Sequence, residues 1–353
     1  MDSPTITTVI PTYRRPALVV RAIRSALAQT YPNVEVVVCD NASGDETREA
    51  VSSIARGDSR VKYHCQRENI GFVRNFNFGL SRVETPYFSL LSDDDFLLPE
   101  FYEHAVRDLA GSTSAALFIG NTLIRDEIES RMLVTSRRLV EAGFYEAPMG
   151  FRAILREDTL RMWTGMVFPT REARTAGCLD EAMRTQHDHD FVLRMAVRHP
   201  VVISNEPCAI YSHHSTAIHV TDRPGGSFWE GWFTTVRKLA QDESLPESVR
   251  RSAAQTLRRK VTRNVARAYA KSLTIGRTAE LADLRAVFYA NSLRCLGVLA
   301  SSVDRNQWVK AAVRAALKSA TVIIRMVRSA REFGAKLPAG ADCKESRFDL
   351  DLP

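Results

Sequence analysis

The stretch TITTVIPTYRRPALVVRAIRSALAQTYPNVEVVVCD, residues 5–40, decides the fold. Its first segment (5–13) is rich in β-branched residues and stops at Pro11-Thr12-Tyr13, as a strand does. Pro16 then stands at a plausible first helical position. Residues 15–31 repeat apolar side chains at helical spacing, with Leu18, Ala22, Ile23, Ala26 and Leu27 on one face. VEVVVCD (34–40) is a near-continuous apolar run, the pattern of a strand buried on both faces.

The same alternation continues outward. NASGDETREAVSSIA reads as a loop and helix, VKYHC (61–65) as a third strand, ENIGFVRNFNFGLSRV as a loop and helix, and YFSLLS (87–92) as a fourth strand. Strands alternating with helices at this spacing predict an α/β fold with a mostly parallel sheet flanked by helices. Ligands of such sheets bind at the carboxyl ends of the strands. The unusual residues cluster there: Pro11-Thr12-Tyr13 after strand one, Asp40 after strand two, and Asp93-Asp94-Asp95 after strand four.

Three adjacent carboxylates repel one another unless a cation offsets them. Oxygen ligands suit hard divalent ions, Mg2+ or Mn2+, which use one or two carboxylates and take further ligands from phosphate and water. A solvated acidic turn capping a helix at Pro99-Glu100 is the alternative. No GxGxxG follows strand one and no GxxxxGK[ST] occurs anywhere, which argues against dinucleotide and P-loop sites.

The six cysteines are scattered without a CxxC pair, which argues against thiolate metal sites and a disulfide framework and suits a reducing cytoplasm. The N-terminus has no basic n-region or long apolar core, so no signal peptide is expected. No apolar run is long enough to span a membrane without a charge. Charge is unevenly distributed. Residues 250–336 hold 19 Lys/Arg against 4 Asp/Glu, a net of +15, whereas residues 1–249 carry a net of −6. The basic part implies an anionic partner. Within it, 304–330 reads as an amphipathic helix with Lys310, Arg314, Lys318, Arg325 and Arg328 on one side. It either lies in a membrane interface or packs on the rest of the protein. No nucleic-acid module is recognisable.

TVIPTYRRPALVVRAIRSALAQTYPNVEVVVCDNASGDET, ENIGFVRNFNFGL, LLSDDDFLLPE, GMVFPTREARTAGCLDEAM and HDHDFVLRM occur in this order over roughly residues 5–215. Together they resemble an inverting family 2 glycosyltransferase of GT-A fold. The resemblance implies roles for particular positions. Pro11, Thr12 and Tyr13 would line the nucleotide base pocket, and Asp40 would accept a hydrogen bond from the base imide. Asn69 and Gly71 would shape the loop under the nucleotide, and Asn77 and Gly79 match the family's Asn-x-Gly. Phe76 and Ser212 stand where many members carry Arg. Ser92 stands where an Asp is usual, so the motif is shifted. Asp94 is then the foremost metal ligand, Asp93 serves ribose or metal, and Asp95 metal or sugar. His214 falls in a slot that reaches the metal in some members. Asp188 is the implied catalytic base, with His187 in a neighbouring acidic slot and Arg194 at the usual Arg; Asp190 is the better candidate for a helix cap. Trp163 either stacks on a sugar or packs in the core.

The expected protein is a metal-dependent (Mn2+ or Mg2+) transferase. It would move a sugar from a UDP- or dTDP-sugar to a hydroxyl of a glycan or lipid-linked acceptor, in cell-surface polysaccharide synthesis. It is expected in the cytoplasm, peripheral on the inner face of the membrane. The alternatives are a catalytically silent nucleotide-sugar- or membrane-binding homologue and a nucleotidyltransferase. The expected organisation is a catalytic domain over 1–225, a basic helical region over 226–336 and a disordered tail over 337–353.

Overall fold

The computed structural model describes residues 3–110, 116–126, 131–134, 139–157, 162–214 and 226–305, with 311 and 313. The expected helix over 304–330 and the tail over 337–353 therefore lie largely outside the described residues.

Strands β1 (Ile6–Thr12), β2 (Val34–Asp40), β3 (Val61–Cys65) and β4 (Tyr87–Leu90) form a parallel half-sheet in the order β3-β2-β1-β4, linked by α1 (Pro16–Leu27), α2 (Thr47–Gly57) and α3 (Phe72–Ser81). Every residue of β1 is buried, as its uninterrupted apolar and threonine pattern requires. Thr8 stays satisfied there because its hydroxyl meets the Tyr102 hydroxyl at 2.5 Å, which Ser89 of β4 also meets at 2.5 Å. Helix α1 starts at Pro16 as expected, but its fully buried face is Val19, Ala22, Ile23 and Ala26, turned slightly from the expected one. Burying Val19 or Ile23 contributes about 1.5–3 kcal/mol each. Gly79 brings α3 against β1, since a Cβ there would run into Val9 and approach Cys39 Sγ at 3.1 Å.

The remaining strands mix directions. After β5 (Phe96–Leu97) and α4 (Phe101–Ala110) come β6 (Leu117–Asp126), β7 (Arg131–Val134), β8 (Gly143–Tyr145), α5 (Met149–Ile154), β9 (Met166–Pro169), α6 (Thr170–Ala176), α7 (His187–Arg198) and β10 (Val201–His213). The sheet continues from β4 as β9-β6-β10-β5, with β7 on β6 and β8 on β10. β9 runs antiparallel to both β4 and β6, and β10 runs parallel to β6 but antiparallel to β5.

Helix α8 (Gly226–Gln241) is followed by the 29-residue α9 (Glu247–Ile275), then α10 (Thr278–Ala290) and α11 (Arg294–Arg305). Two compact units divide after Val265, inside α9. The first unit thus includes α8, beyond the boundary expected at residue 225. In the second, Tyr269 packs on Phe288 with ring centroids 5.8 Å apart and donates to the Ala300 carbonyl at 3.0 Å. Among the described residues, no helix is long and apolar enough to cross a membrane.

Candidate active site

The chain builds outward from β1 through β2 to β3 and then returns to β4 on the other side of β1. That reversal opens a crevice at the carboxyl ends of β1 and β4. The β1–β4 register ends at Val9 and Leu90, just before Pro11, which has no N–H to extend a ladder. Past that point the strands part, and Thr12 Oγ1 bridges the gap by donating to Asp93 Oδ2 at 2.8 Å.

The three aspartates meet three different environments. Pairing of Phe96 with Ile210 and Leu97 with Ala209 brings the end of β10 to the acidic turn. The Ser212 N–H therefore reaches Asp95 Oδ1 at 2.9 Å, while the Thr164 hydroxyl donates to Asp95 Oδ2 at 2.9 Å. Asp95 is 1% exposed, and burial, with the Asp94 charge second, raises its pKa well above the usual carboxylate range. Asp93 is also buried, and burial raises its pKa against the opposing charge of Arg15. Arg15 Nη1 lies 3.0 Å from both Asp93 Oδ1 and Asp94 Oδ2. Asp94 is the most exposed of the three side chains, at 16%, and its Oδ2 lies 3.1 Å from His214 Nε2. From behind the turn, Arg21 donates to the Asp94 carbonyl and, at 3.3 Å, to Ser212 Oγ.

The residues expected to border a nucleotide base lie at the neighbouring ends of β1 and β2. Tyr13 is 38% exposed, with the Arg14 guanidinium over its ring at 5.1 Å. Asp40 is buried, and it accepts from Ser43 N at 2.9 Å, Ser43 Oγ at 2.6 Å and the Tyr63 hydroxyl at 2.5 Å. A carboxylate offers about four lone-pair sites, so one remains for a further donor. Asn69 Oδ1 accepts from Gly71 N and Asn41 Nδ2, both at 2.9 Å, and Asn41 Oδ1 accepts from Ile70 N at 2.9 Å, which ties this loop to the end of β2. Arg14 and Ala42, at the ends of β1 and β2, adopt positive φ of 55° and 61°. Such strain in non-glycine residues collects at ligand sites.

Asp188 lies in the first turn of α7. Its side chain is 22% exposed, and Oδ1 accepts from His189 N at 2.7 Å and lies 3.2 Å from His189 Nδ1. Burial by itself would raise the Asp188 pKa, but His189 and His187 outweigh it and hold the carboxyl well below its usual range. Burial, and then the charges of Asp95, Asp94 and Asp188, push the Tyr211 pKa far up.

Several expected residues take other places. Asp95 turns inward, with both oxygens engaged, rather than toward a shared cation site. Arg194 faces its donors away from the crevice: Nε meets Asp190 Oδ2 at 2.8 Å, Nη2 the Cys178 carbonyl at 2.8 Å, and Nη1 the carbonyls of Ala176 and Gly177. Asp190 is no helix cap; it is fully buried between Arg194 and Lys238 Nζ, the latter at 2.7 Å. Trp163 packs between Phe76 at 4.7 Å and His187 at 5.3 Å. The exposed aromatic of that group is Phe72, 38% exposed and 4.7 Å from His187. Asn77 clasps Leu179 in both directions, at 2.8 and 2.9 Å, and so fixes the segment leading to α7.

Sequence reasoning missed Arg15 and Arg21, and it read α8 as helical but set it in the separate basic region. The signal for Arg15 was its place two residues after the Pro-Thr-Tyr end of β1, opposite three carboxylates. Helix α8 packs against the start of α7 because Gly231 has no Cβ to strike Gln186, and the Trp232 ring lies tilted 4.9 Å from that of His189.

The fit for a divalent ion is a pair. Among the described residues, no group of three or more His, Cys, Asp and Glu side chains converges as a metal site. Asp94 Oδ2 and His214 Nε2 do converge, and both side chains are partly exposed. Two protein ligands with phosphate and water completing the shell is a common arrangement for such ions. A mixed oxygen and imidazole pair suits Mn2+ better than Mg2+, which prefers oxygen alone.

Parallel strands with the acidic turn at their carboxyl ends, joined to a mixed half-sheet flanked by α7, define a GT-A glycosyltransferase fold. Residues 7–166 match the family described as Glycosyl transferase family 2, and this part of the chain is a family 2 glycosyltransferase domain. An uncharacterized glycosyltransferase of Rickettsia typhi is 27% identical over 190 residues, covering 53% of this chain and 57% of that protein. The GalNAc(5)-diNAcBac-PP-undecaprenol beta-1,3-glucosyltransferase of Campylobacter jejuni is 33% identical over 96 residues, covering 27% of this chain and 31% of that protein. The chain thus spans about half or less of the length of these two curated relatives. Among solved structures, S. aureus TarS 1-349 in complex with UDP-GlcNAc superposes with a TM-score of 0.64, covering 88% of this chain and 92% of that one at 14% identity, which is a likeness of fold.

Proposed function

We propose that the protein is an inverting, metal-dependent glycosyltransferase. Its donor is a UDP- or dTDP-sugar, and its acceptor is a hydroxyl of a glycan or lipid-linked glycan in cell-surface polysaccharide synthesis. One observation supports this most: the Trp163–Thr164 turn bridges two acidic segments far apart in sequence, since Thr164 donates to Asp95 Oδ2 at 2.9 Å while Trp163 packs 5.3 Å from His187, the neighbour of Asp188. On this reading a diphosphate site and a proton acceptor lie on either side of that turn. The UDP-GlcNAc bound in TarS and the lipid-linked substrate in the Campylobacter name agree with the donor and acceptor classes.

Tyr13 and the Pro11–Thr12 end of β1 border the base, and Asp40 takes the imide proton at its remaining acceptor site. Asp93, aligned by Thr12, faces the ribose. Asp94 and His214 would hold the divalent ion, which when bound supplies positive charge against the leaving diphosphate. Asp188 stays ionised at neutral pH and accepts the acceptor hydroxyl's proton. The oxygen then attacks the anomeric carbon opposite the diphosphate, one displacement with inversion. Phe72 borders the acceptor side.

We further place the protein on the cytoplasmic face of an anionic membrane. The exposed Arg259, Arg263, Arg267 and Lys271 along α9 support that reading. Flotation with anionic vesicles tests it: alanine at these four positions should reduce binding, and undiminished binding would exclude α9 as the contact.

A panel of nucleotide sugars with Mn2+ tests the main reading. Slow release of nucleoside diphosphate is expected. Release of sugar 1-phosphate, with the nucleoside monophosphate passed to water or another acceptor, would replace the reading with nucleotidyl transfer, and silence with a binding protein.

A further inference from the structure

Arg15 occupies the position that a metal site of this kind would need. Its Nη1 is 3.0 Å from Asp93 Oδ1 and 3.0 Å from Asp94 Oδ2, and that same Asp94 oxygen lies 3.1 Å from His214 Nε2. A divalent ion on Asp94 and His214 would sit about 2.0–2.6 Å from that oxygen, inside the shell Nη1 now fills. The two cations cannot share it without strong repulsion.

We propose that Arg15 is a built-in counter-cation of the Asp93–Asp94 pair, which competes with the divalent ion and passes to the donor's diphosphate when the ion binds. This deepens the reading of Asp94 and His214 as the metal pair and rests on it.

Three features suit Arg15 to both positions. Its guanidinium uses one nitrogen for the aspartates, and Nε and Nη2 make no hydrogen bond among the described residues. That leaves an edge of the fork for an anionic oxygen pair, the arrangement by which arginine recognises phosphate. Arg15 is also the residue just before α1, so its side chain stands at a helix N-terminus, where a phosphate is favoured. It follows Arg14, whose positive φ bends the chain sharply at the crevice edge. The turn itself does not depend on Arg15. Arg21 grips it through the Asp94 carbonyl and stacks on Phe96 at 5.1 Å, while Ser212 and Thr164 pin Asp95.

The device has a chemical consequence. Without a donor, the carboxylates are neutralised internally and hold a free ion weakly. The diphosphate draws Arg15 away, so ion and donor enter together, and the aspartates are not left charged and bare between turnovers.

The test is direct Mn2+ binding to the full chain, read by the electron paramagnetic resonance of free Mn2+ without nucleotide, and UDP binding by calorimetry at saturating Mn2+. Arg15→Gln should bind Mn2+ on the order of tenfold more tightly and UDP on the order of tenfold more weakly, each reflecting one lost charge interaction. Arg15→Lys keeps the charge without the fork. It should keep the wild-type Mn2+ affinity and lose UDP affinity, and it decides alone if the glutamine variant does not fold. Equal or weaker Mn2+ binding in Arg15→Gln, or altered Mn2+ affinity in Arg15→Lys, would overturn the proposal. Asp94→Asn separates the two levels: if it leaves wild-type Mn2+ binding intact, the metal pair itself is wrong, whereas loss of binding there with no gain in Arg15→Gln refutes only the competition.

Discussion

The acidic turn after β4 and the acidic start of α7 each join a partly exposed aspartate to a buried one, yet they hold the buried member by opposite means. Asp95 is held by neutral donors, the Ser212 N–H and the Thr164 hydroxyl. Asp190 is held by two cations, Arg194 and Lys238. Neutral donors do not cancel charge, so burial first and the Asp94 charge second raise the Asp95 pKa, and Arg15 and His214 lie against the turn. The α7 cluster is neutralised from within. Its partly exposed member, Asp188, is kept ionised by His189 and His187. On the proposed reading, one cluster receives a cation and the other a proton.

Substitutions break the comparison at graded depths. Asp188→Asn removes the proposed base on α7 and should lower turnover about 10²–10⁴-fold, the usual worth of a general base. Calorimetry should show unchanged UDP binding in the same variant. Asp190→Ala leaves Arg194 and Lys238 facing an empty pocket and should cost about 3–5 kcal/mol in urea unfolding, as breaking a buried ion pair does. A loss under 1 kcal/mol would mean that the cations relax to water and that the pair does not anchor α7.

Thr164→Val strips one donor from Asp95 and should cost about 1–3 kcal/mol, the penalty of a buried acceptor left unpaired. His189→Ala tests the electrostatics of Asp188. The folded pKa of Asp188 is depressed, so its ionised form persists above the unfolded value near 3.9 and is lost only as pH falls through the lower folded value. Without His189, burial dominates and the acid limb of the kcat/KM profile should move upward in pH. A limb that stays in place would assign the depression to another group. The smallest effect belongs to the exposed Arg74–Glu181 pair at 2.7 Å, where either alanine should change stability by about 0.2–1 kcal/mol.

The parallel half of the sheet was legible because each of its strands is a short apolar run bounded by turn residues. Strand β4 alone ended early, at Leu90, because the chain must leave the ladder to form the acidic turn. The mixed half of the sheet was not legible, for a physical reason. β6 carries Gly120, Asn121, Thr122 and Arg125 among its apolar residues, and β5 is only two residues long, so neither has a periodicity of its own. Both exist through pairing with β10. The site divides similarly. The resemblance to family 2 glycosyltransferases pointed to Asp94 and Asp188. Which aspartate turns inward depends on Ser212 and Thr164, brought in by β10 and the turn before β9, and local sequence holds no trace of that. Helix α8 was assigned to a separate basic region by charge, whereas Gly231 and Trp232 seat it on the start of α7.

The most direct test of the account is the release of UDP from a UDP-sugar that wild-type protein turns over with Mn2+, compared with release by Asp188→Asn at saturating UDP-sugar. The account predicts that the variant binds UDP as the wild type does and releases it from UDP-sugar at least about a hundredfold more slowly. Equal release by both proteins would contradict the assignment of Asp188 as the base, and with it the division of labour between the two acidic clusters.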